Sequence, residues 1–243
     1  MKRAERFYRD FTESARWKSF RVRVETSDLF IRADKDLSGP AEEIIRRLRK
    51  QIRDHIERQD TFHTSLTPVE RLEKIPEIIS MMYEASERAG VGPMAAVAGA
   101  VAEITGRELS DRTEELIIEN GGDIWMKLSR PAIVSIFPGG YYFDRVALRI
   151  QSNQTPCGIC TSSARIGLSF SFGRADAATV IASDAALADA IATEVCNRVQ
   201  SEDDMESAAS YGMDRGACGV IIVYRDRLIA SGDVELTDQD CEV

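Results

Sequence analysis

The chain predicts an α+β fold built on a largely antiparallel sheet. Three observations point there. Short strand-like runs come in pairs, helical segments fall between the pairs, and no strict βαβα alternation is present. At 243 residues and 44% hydrophobic content the chain is long enough to bury a core.

The elements follow in order. Trp17 to Val24 alternates and Leu29 to Ala33 is a second short strand, with Glu-Thr-Ser-Asp between them as a hairpin. Ser38-Gly-Pro-Ala-Glu-Glu starts a helix with a capping hydroxyl, an early proline and acids at the positive end of the dipole. Ile44, Ile45, Leu48, Ile52 and Ile56 continue it at helical spacing to about residue 58. Arg46, Arg47, Arg49, Lys50 and Arg53 share that helix with Glu42, Glu43, Asp54 and Glu57, which reads as a solvated face.

Thr61 to Thr67 reads as a loop or short strand. Pro76 opens a helix over Ile78–Ala89 that Gly90 stops. Pro93 opens another over Met94–Ile104, stopped by Gly106. Its Ala, Val and Gly content requires burial and a close neighbour. Strand-like runs follow at Leu116–Ile118, Ile124–Leu128, Ile133–Phe137 and Val146–Ile150. Residues 151–174, rich in Ser, Thr, Gly and Cys, read as a long functional loop. Ala178–Ile181 is a strand and Ala185–Val199 a helix. Ala217–Tyr224 and Leu228–Ala230 close the chain as a hairpin around Arg225-Asp226.

The bulk properties exclude several classes. A net charge of −9 argues against nucleic acid as the main partner. No apolar run approaches membrane-spanning length, and no apolar segment follows the basic start as in a secretory signal. Five cysteines in the C-terminal half form no disulfide framework, so the expected location is cytoplasmic. Cys196, Cys218 and Cys241 read as buried or tail residues. Only two histidines, His55 and His63, are present, and neither setting suggests acid–base catalysis.

Asp189 and Thr193 are the most chemical pair. They lie one helical turn apart among Ala185, Ala186 and Ala190, which are too small to cover either oxygen. Both are hard ligands of the kind Mg²⁺ takes. The aliphatic stripe of this helix is Leu187, Ile191, Val195 and Val199, and two residues on from Leu187 is roughly 200° around the axis. The pair therefore lies opposite the stripe, and the residues alone leave open a metal site or a polar outer face.

Asn120-Gly121-Gly122-Asp123 between apolar runs is first a hairpin turn, and second a place for a ligand to approach the backbone. Cys157-Gly-Ile-Cys160 could form a redox pair, but it has no second pair for zinc and no βαβ context; coincidental cysteines are the plainer reading. Thr161-Ser162-Ser163, followed by Gly167, Ser169, Ser171 and Gly173, offers hydroxyls and N–H groups to phosphate oxygens.

In order along the chain, Gly92-Pro-Met-Ala-Ala-Val-Ala-Gly99-Ala-Val-Ala-Glu103, Glu119-Asn-Gly-Gly-Asp123-Ile, Thr161-Ser-Ser and Ala188-Asp-Ala-Ile-Ala-Thr193 resemble the ApbE-type FAD:protein FMN transferases. Gly-Ile-Cys-Thr-Ser-Ser and Ser-Phe-Ser-Phe-Gly-Arg-Ala-Asp176 make the chain more similar to a separate ApbE-like branch, from about Tyr8 onward. The resemblance implies a T-fold-like arrangement in a single domain over 1–243, or two related halves of about 1–140 and 141–243, although no repeat marks them.

It also implies Mg²⁺ held by Asp189, Thr193 and a backbone carbonyl around Ala98, and FAD or FMN along Asn120, Gly121, Gly122 and Asp123, with Thr161, Ser162 and Ser163 completing the nucleotide site. The implied partners are a flavin nucleotide or another phosphorylated small molecule, an acceptor protein and a second copy in a homodimer, with no nucleic acid and no membrane. Family members carry lysine where this chain has Ala98, aspartate where it has Glu103, and a histidine near the position of Leu168. The expected function is Mg²⁺-dependent flavin-nucleotide binding, with cleavage of FAD or transfer of FMN. The alternatives are a non-catalytic flavin or small-ligand binding protein and a thiol-redox protein using Cys157 and Cys160.

Overall fold

The computed structural model describes residues 16–139, 142–164 and 172–237. Eleven described strands form two sheets. The first runs β1 (Lys18–Val24), β2 (Ser27–Ala33), β3 (Leu116–Asn120), β4 (Asp123–Lys127), β7 (Cys157–Ser162), β8 (Ala177–Ala182), β9 (Gly219–Tyr224) and β10 (Arg227–Gly232). Every neighbouring pair in it is antiparallel. The second runs β11 (Leu236–Thr237), β6 (Val146–Ile150) and β5 (Ala132–Ile136).

Six α-helices among the described residues accompany them: α1 (Ser38–Arg58), α2 (Asp60–Thr64), α3 (Glu77–Ala89), α4 (Val97–Leu109), α5 (Ala185–Arg198) and α6 (Met205–Asp214). The result is three layers. Helices cover one face of the large sheet and the small sheet covers part of the other.

Strand alternation explains why the central strands read as unbroken apolar runs. In β3, Ile118 packs towards the helices and its neighbour Ile117 towards the small sheet. In β9, Val220 and Ile222 join the helical core, while Ile221 and Val223 join Val134, Ile136 and Leu148 of the small sheet.

α5 is the centre of the helical layer. Gly158 of β7 and Gly99 of α4 let it approach closely: a Cβ on Gly158 would lie 2.3 Å from Ala185 Cα, and one on Gly99 would lie 2.1 Å from the Ala185 carbonyl oxygen. The required close neighbour of the alanine- and glycine-rich helix is therefore α5. Among the described residues no single helix is long and apolar enough to cross a membrane.

Several expectations are corrected. Residues 60–64 are helical. Ser38 does not cap α1; its N–H donates to Asp36 Oδ1 at 2.8 Å instead. Gly106 lies inside α4 rather than ending it, because the Trp125 ring fills the space beside it and would stand 2.1 Å from a Cβ. The segment read as a long loop contains β7, a central strand. Gly167, Leu168, Ser169, Ser171 and Cys241 lie outside the described residues. Helix α6 and strand β11 had no counterpart in the sequence reading, whereas Gly90 ends α3 in the left-handed conformation expected of it, at φ 73°.

Candidate functional site

The β3–β4 hairpin turns on Gly121 and Gly122, at φ 78° and 110°, a conformation that glycine alone adopts without strain. The turn is thus confirmed, and it also borders a cavity of about 680 Å³. The cavity has walls on both faces of the large sheet. On the helical face it meets Asp123, Asp189, Thr193, Asn120 and Ala98. On the other it meets Phe30, Ile124, Thr161 and the β5 run from Ala132 to Phe137. Gly121 and Gly122 of the turn line it as well.

Asp123 begins β4 and Asp189 sits mid-way along α5, so the strand and the helix each bring one carboxylate to the same wall. Burial raises Asp123 well above the ordinary carboxylate range, and the charge of Asp189 adds to it. Burial pushes Asp189 up to about 7, against the opposing pull of N–H groups from Gly99 and Ala98. The Gly99 N–H donates to Asp189 Oδ2 at 2.9 Å. Ala98, in the first turn of α4, turns its carbonyl to the same place, where it accepts from Asn120 Nδ2 at 3.1 Å in addition to its helical bond. The hydroxyl of Thr193 faces the cavity without a hydrogen-bond partner among the described residues.

The face of α5 carrying Asp189 and Thr193 is therefore a cavity wall rather than an outer, solvated face. Alanines flank the pair because Ala185, Ala186, Ala188, Ala190 and Ala192 are all buried against neighbouring elements. Four oxygen-bearing groups converge here: two carboxylates, a hydroxyl and a carbonyl. No group of three or more His, Cys, Asp and Glu side chains among the described residues is placed to hold a metal. The donor set instead fits a small hard cation that takes one or two carboxylates and completes its shell with water and ligand oxygens, as Mg²⁺ does.

Glu103 sets the relation between the two helices. Its carboxylate, 7% exposed, accepts from the Ala185 N–H at 2.7 Å and so caps α5 from α4. Burial raises it to about 7, with the Asp184 charge adding to the effect.

The hydroxyl run divides. Thr161 and Ser163 line the cavity. Thr161 also pairs with Thr179 through their hydroxyls at 2.8 Å, and the Ser163 hydroxyl donates to the Asp176 carbonyl at 2.6 Å. Ser162 does not line the cavity, because alternation along β7 turns it to the opposite face. The same alternation disposes of the cysteine pair. Cys157 packs into the core beneath the small sheet and Cys160 into the helical core, both as free thiols. Positions three apart on a strand face opposite ways, so the two sulfurs cannot form a local redox pair, and burial raises both thiol pKa values. Cys218 is exposed rather than buried.

Some cavity residues escaped the sequence reading. Arg49, Arg53, Ile52 and Ile56 all line it, so this side of α1 is not simply a solvated face. Their spacing of three and four along one helix was the available signal. His63, on the overlooked helix α2, also lines the cavity.

The three-layer α+β fold is that of the ApbE proteins of known structure. A Vibrio cholerae flavin transferase ApbE, in a mutant form, superposes with a TM-score of 0.57 at 14% identity, covering 89% of this chain and 97% of that one. The ApbE protein of Thermotoga maritima gives 0.54 at 14% identity, over 91% and 97%. These likenesses establish the fold.

A family model described as AbpE bacteria matches residues 9–215, and the chain belongs to that family. Its relatives include a UPF0280 protein of Methanocaldococcus jannaschii, 36% identical over 233 residues, which are 92% of this chain and 95% of that protein. Another, from Methanopyrus kandleri, is 39% identical over 199 residues, or 81% and 80%.

Proposed function

We propose that the chain is a cytoplasmic, Mg²⁺-dependent flavin-nucleotide protein that cleaves FAD or transfers FMN from it to an acceptor. The observation that carries this reading is the pair of carboxylates, buried Asp123 and half-buried Asp189, brought to one cavity wall beside a Thr193 hydroxyl that has no hydrogen-bond partner among the described residues. Two enclosed carboxylates repel each other, and a divalent cation removes that cost.

In this reading Asp123, Asp189, Thr193 and the Ala98 carbonyl hold the cation. The cation supplies charge neutralisation at a pyrophosphate. Gly121 and Gly122 let the ligand pass close to the backbone from one face of the sheet to the other. Thr161 and Ser163 supply hydroxyls on the far side, and the apolar run of β5 with Phe30 and Ile124 accommodates a flat ring.

A second reading, flavin binding without transfer, draws support from Ala98, whose methyl group cannot act where the transferases carry lysine. Incubation of the purified protein with FAD and Mg²⁺, followed by chromatography, tests both. AMP and FMN are the expected products. Flavin retained without turnover would support the binding protein, and no affinity for flavin would overturn both readings.

A further inference from the structure

Three cations of α1 each have a carboxylate of their own. Arg46 pairs with Glu42 at 2.5 Å, Arg47 with Glu108, and Lys50 with Asp54 at 2.5 Å. Arg49 and Arg53 are different. They share Glu25, at 2.6 Å and 3.5 Å, so two guanidinium groups face one carboxylate. Both line the same cavity as Asp123 and Asp189.

Arg49 is also held in place. Its Nη1 donates to Thr26 Oγ1 at 3.0 Å and Ser27 Oγ at 2.7 Å, and its Nη2 donates to Glu25. Its Nε is buried and finds no acceptor among the described residues. A positioned guanidinium with a buried vacant donor, beside a second guanidinium and short of negative charge, is matched to an anion.

We propose that Arg49 and Arg53 form an anion subsite that takes a phosphate or carboxylate group of the cavity's ligand. It rests on the reading of this cavity as the ligand site, but not on the cation. The acidic wall and the basic wall give the cavity two poles. A ligand that fills both carries negative charge that reaches the α1 side.

The test is run in EDTA, where the carboxylate wall cannot act through a metal, using riboflavin, FMN and FAD as fluorescent probes. In the wild-type protein the phosphorylated flavins should bind about tenfold more tightly than riboflavin, the scale of one charge-assisted hydrogen bond. Arg53→Gln should remove most of that advantage and leave riboflavin unchanged. Arg53 suits the test because its ion pair with Glu25 is long and its side chain is 57% exposed, so the fold does not depend on it.

Glu25→Gln should act in the opposite direction, raising the affinity for FMN and FAD severalfold by freeing both arginines. A folding defect could not produce that gain. Equal affinity for all three flavins, or an unchanged ratio in Arg53→Gln, overturns the proposal.

If no flavin binds, the flavin reading fails separately, and inorganic pyrophosphate and citrate become the probes. Thermal stabilisation in EDTA that Arg53→Gln loses would support the subsite, with pyrophosphate and citrate separating phosphate from carboxylate recognition. No response to either would overturn it.

Discussion

Gly99→Ala probes the contact on which the carboxylate wall depends. A Cβ at this position would stand 2.1 Å from the Ala185 carbonyl oxygen and 2.9 Å from Asp189 Cβ. Ordinary carbon contacts lie at roughly 3.5 Å or more, so α4 and α5 must part by on the order of 1 Å. Backbone lies on both sides and cannot rotate away, which places the overpacking cost near the upper end of about 1–3 kcal/mol. Alanine's better helix propensity offsets about 1 kcal/mol of it.

The net loss is about 2 kcal/mol, or roughly 4–8 °C in melting temperature for a chain of this size. The shift also pulls the Gly99 N–H from Asp189, so stabilisation by Mg²⁺ with nucleotide should weaken as well. Gly39→Ala is the control, since nothing lies within 4 Å of a Cβ there. Urea and thermal unfolding with and without Mg²⁺ and FAD give the readout. A Gly99→Ala protein as stable as wild type, with an undiminished Mg²⁺ response, would refute the packing argument.

Asp189→Ala should abolish Mg²⁺-dependent thermal stabilisation in the presence of nucleotide; a surviving shift would put the cation elsewhere. Glu103 has its pKa raised in the fold to about 7, so its contribution favours the folded state at low pH and is lost as pH rises through 7. Glu103→Gln should flatten that slope and be more stable than wild type at pH 8.5, by at most about 3 kcal/mol, as urea titrations across pH would show. Glu115 runs the other way. Burial alone would raise it, but Arg16, Ser129 and Trp17 hold it down at about 2. Its stabilisation is full above about pH 4.5 and is lost as pH falls towards 2, and Glu115→Gln should blunt that acid limb in Trp17 fluorescence. Thiol labelling mapped by mass spectrometry should find Cys218 modified in the native protein, and Cys157 and Cys160 only after unfolding.

Much of this architecture could be read from residue patterns. Helix α3 was legible because Pro76 and Gly90 mark its ends, and β6 because Val146–Ile150 is a bounded apolar run. β7 was not, since Cys157-Gly-Ile-Cys-Thr-Ser carries little aliphatic character. Its Gly158 is there to admit α5, a requirement set by a helix 27 residues further along the chain. Gly106 misled for a related reason: a glycine that makes room for an indole looks in sequence like one that ends a helix.

Asp189 and Thr193 were visible as a pair, but whether they faced solvent or a cavity depended on neighbours from α4 and β4. Arg49 and Arg53 were hidden by their company. Arg46, Arg47 and Lys50 made the whole helix look solvated, and only the β1–β2 turn reveals which two cations point inward.

The path of the cavity around the Gly121-Gly122 turn bears on how the protein breathes. Among the described residues β5 is an edge strand of a three-stranded sheet, paired only with β6, and it forms cavity wall. Such a strand opens more readily than β3 or β4, which are paired on both sides. A ligand lying around the turn would touch this strand and the helical layer together, and so tie the least secure layer to the most secure one. Amide exchange in β5 should then slow on binding far more than exchange in β8 or β9, which makes the small sheet a reporter of occupancy.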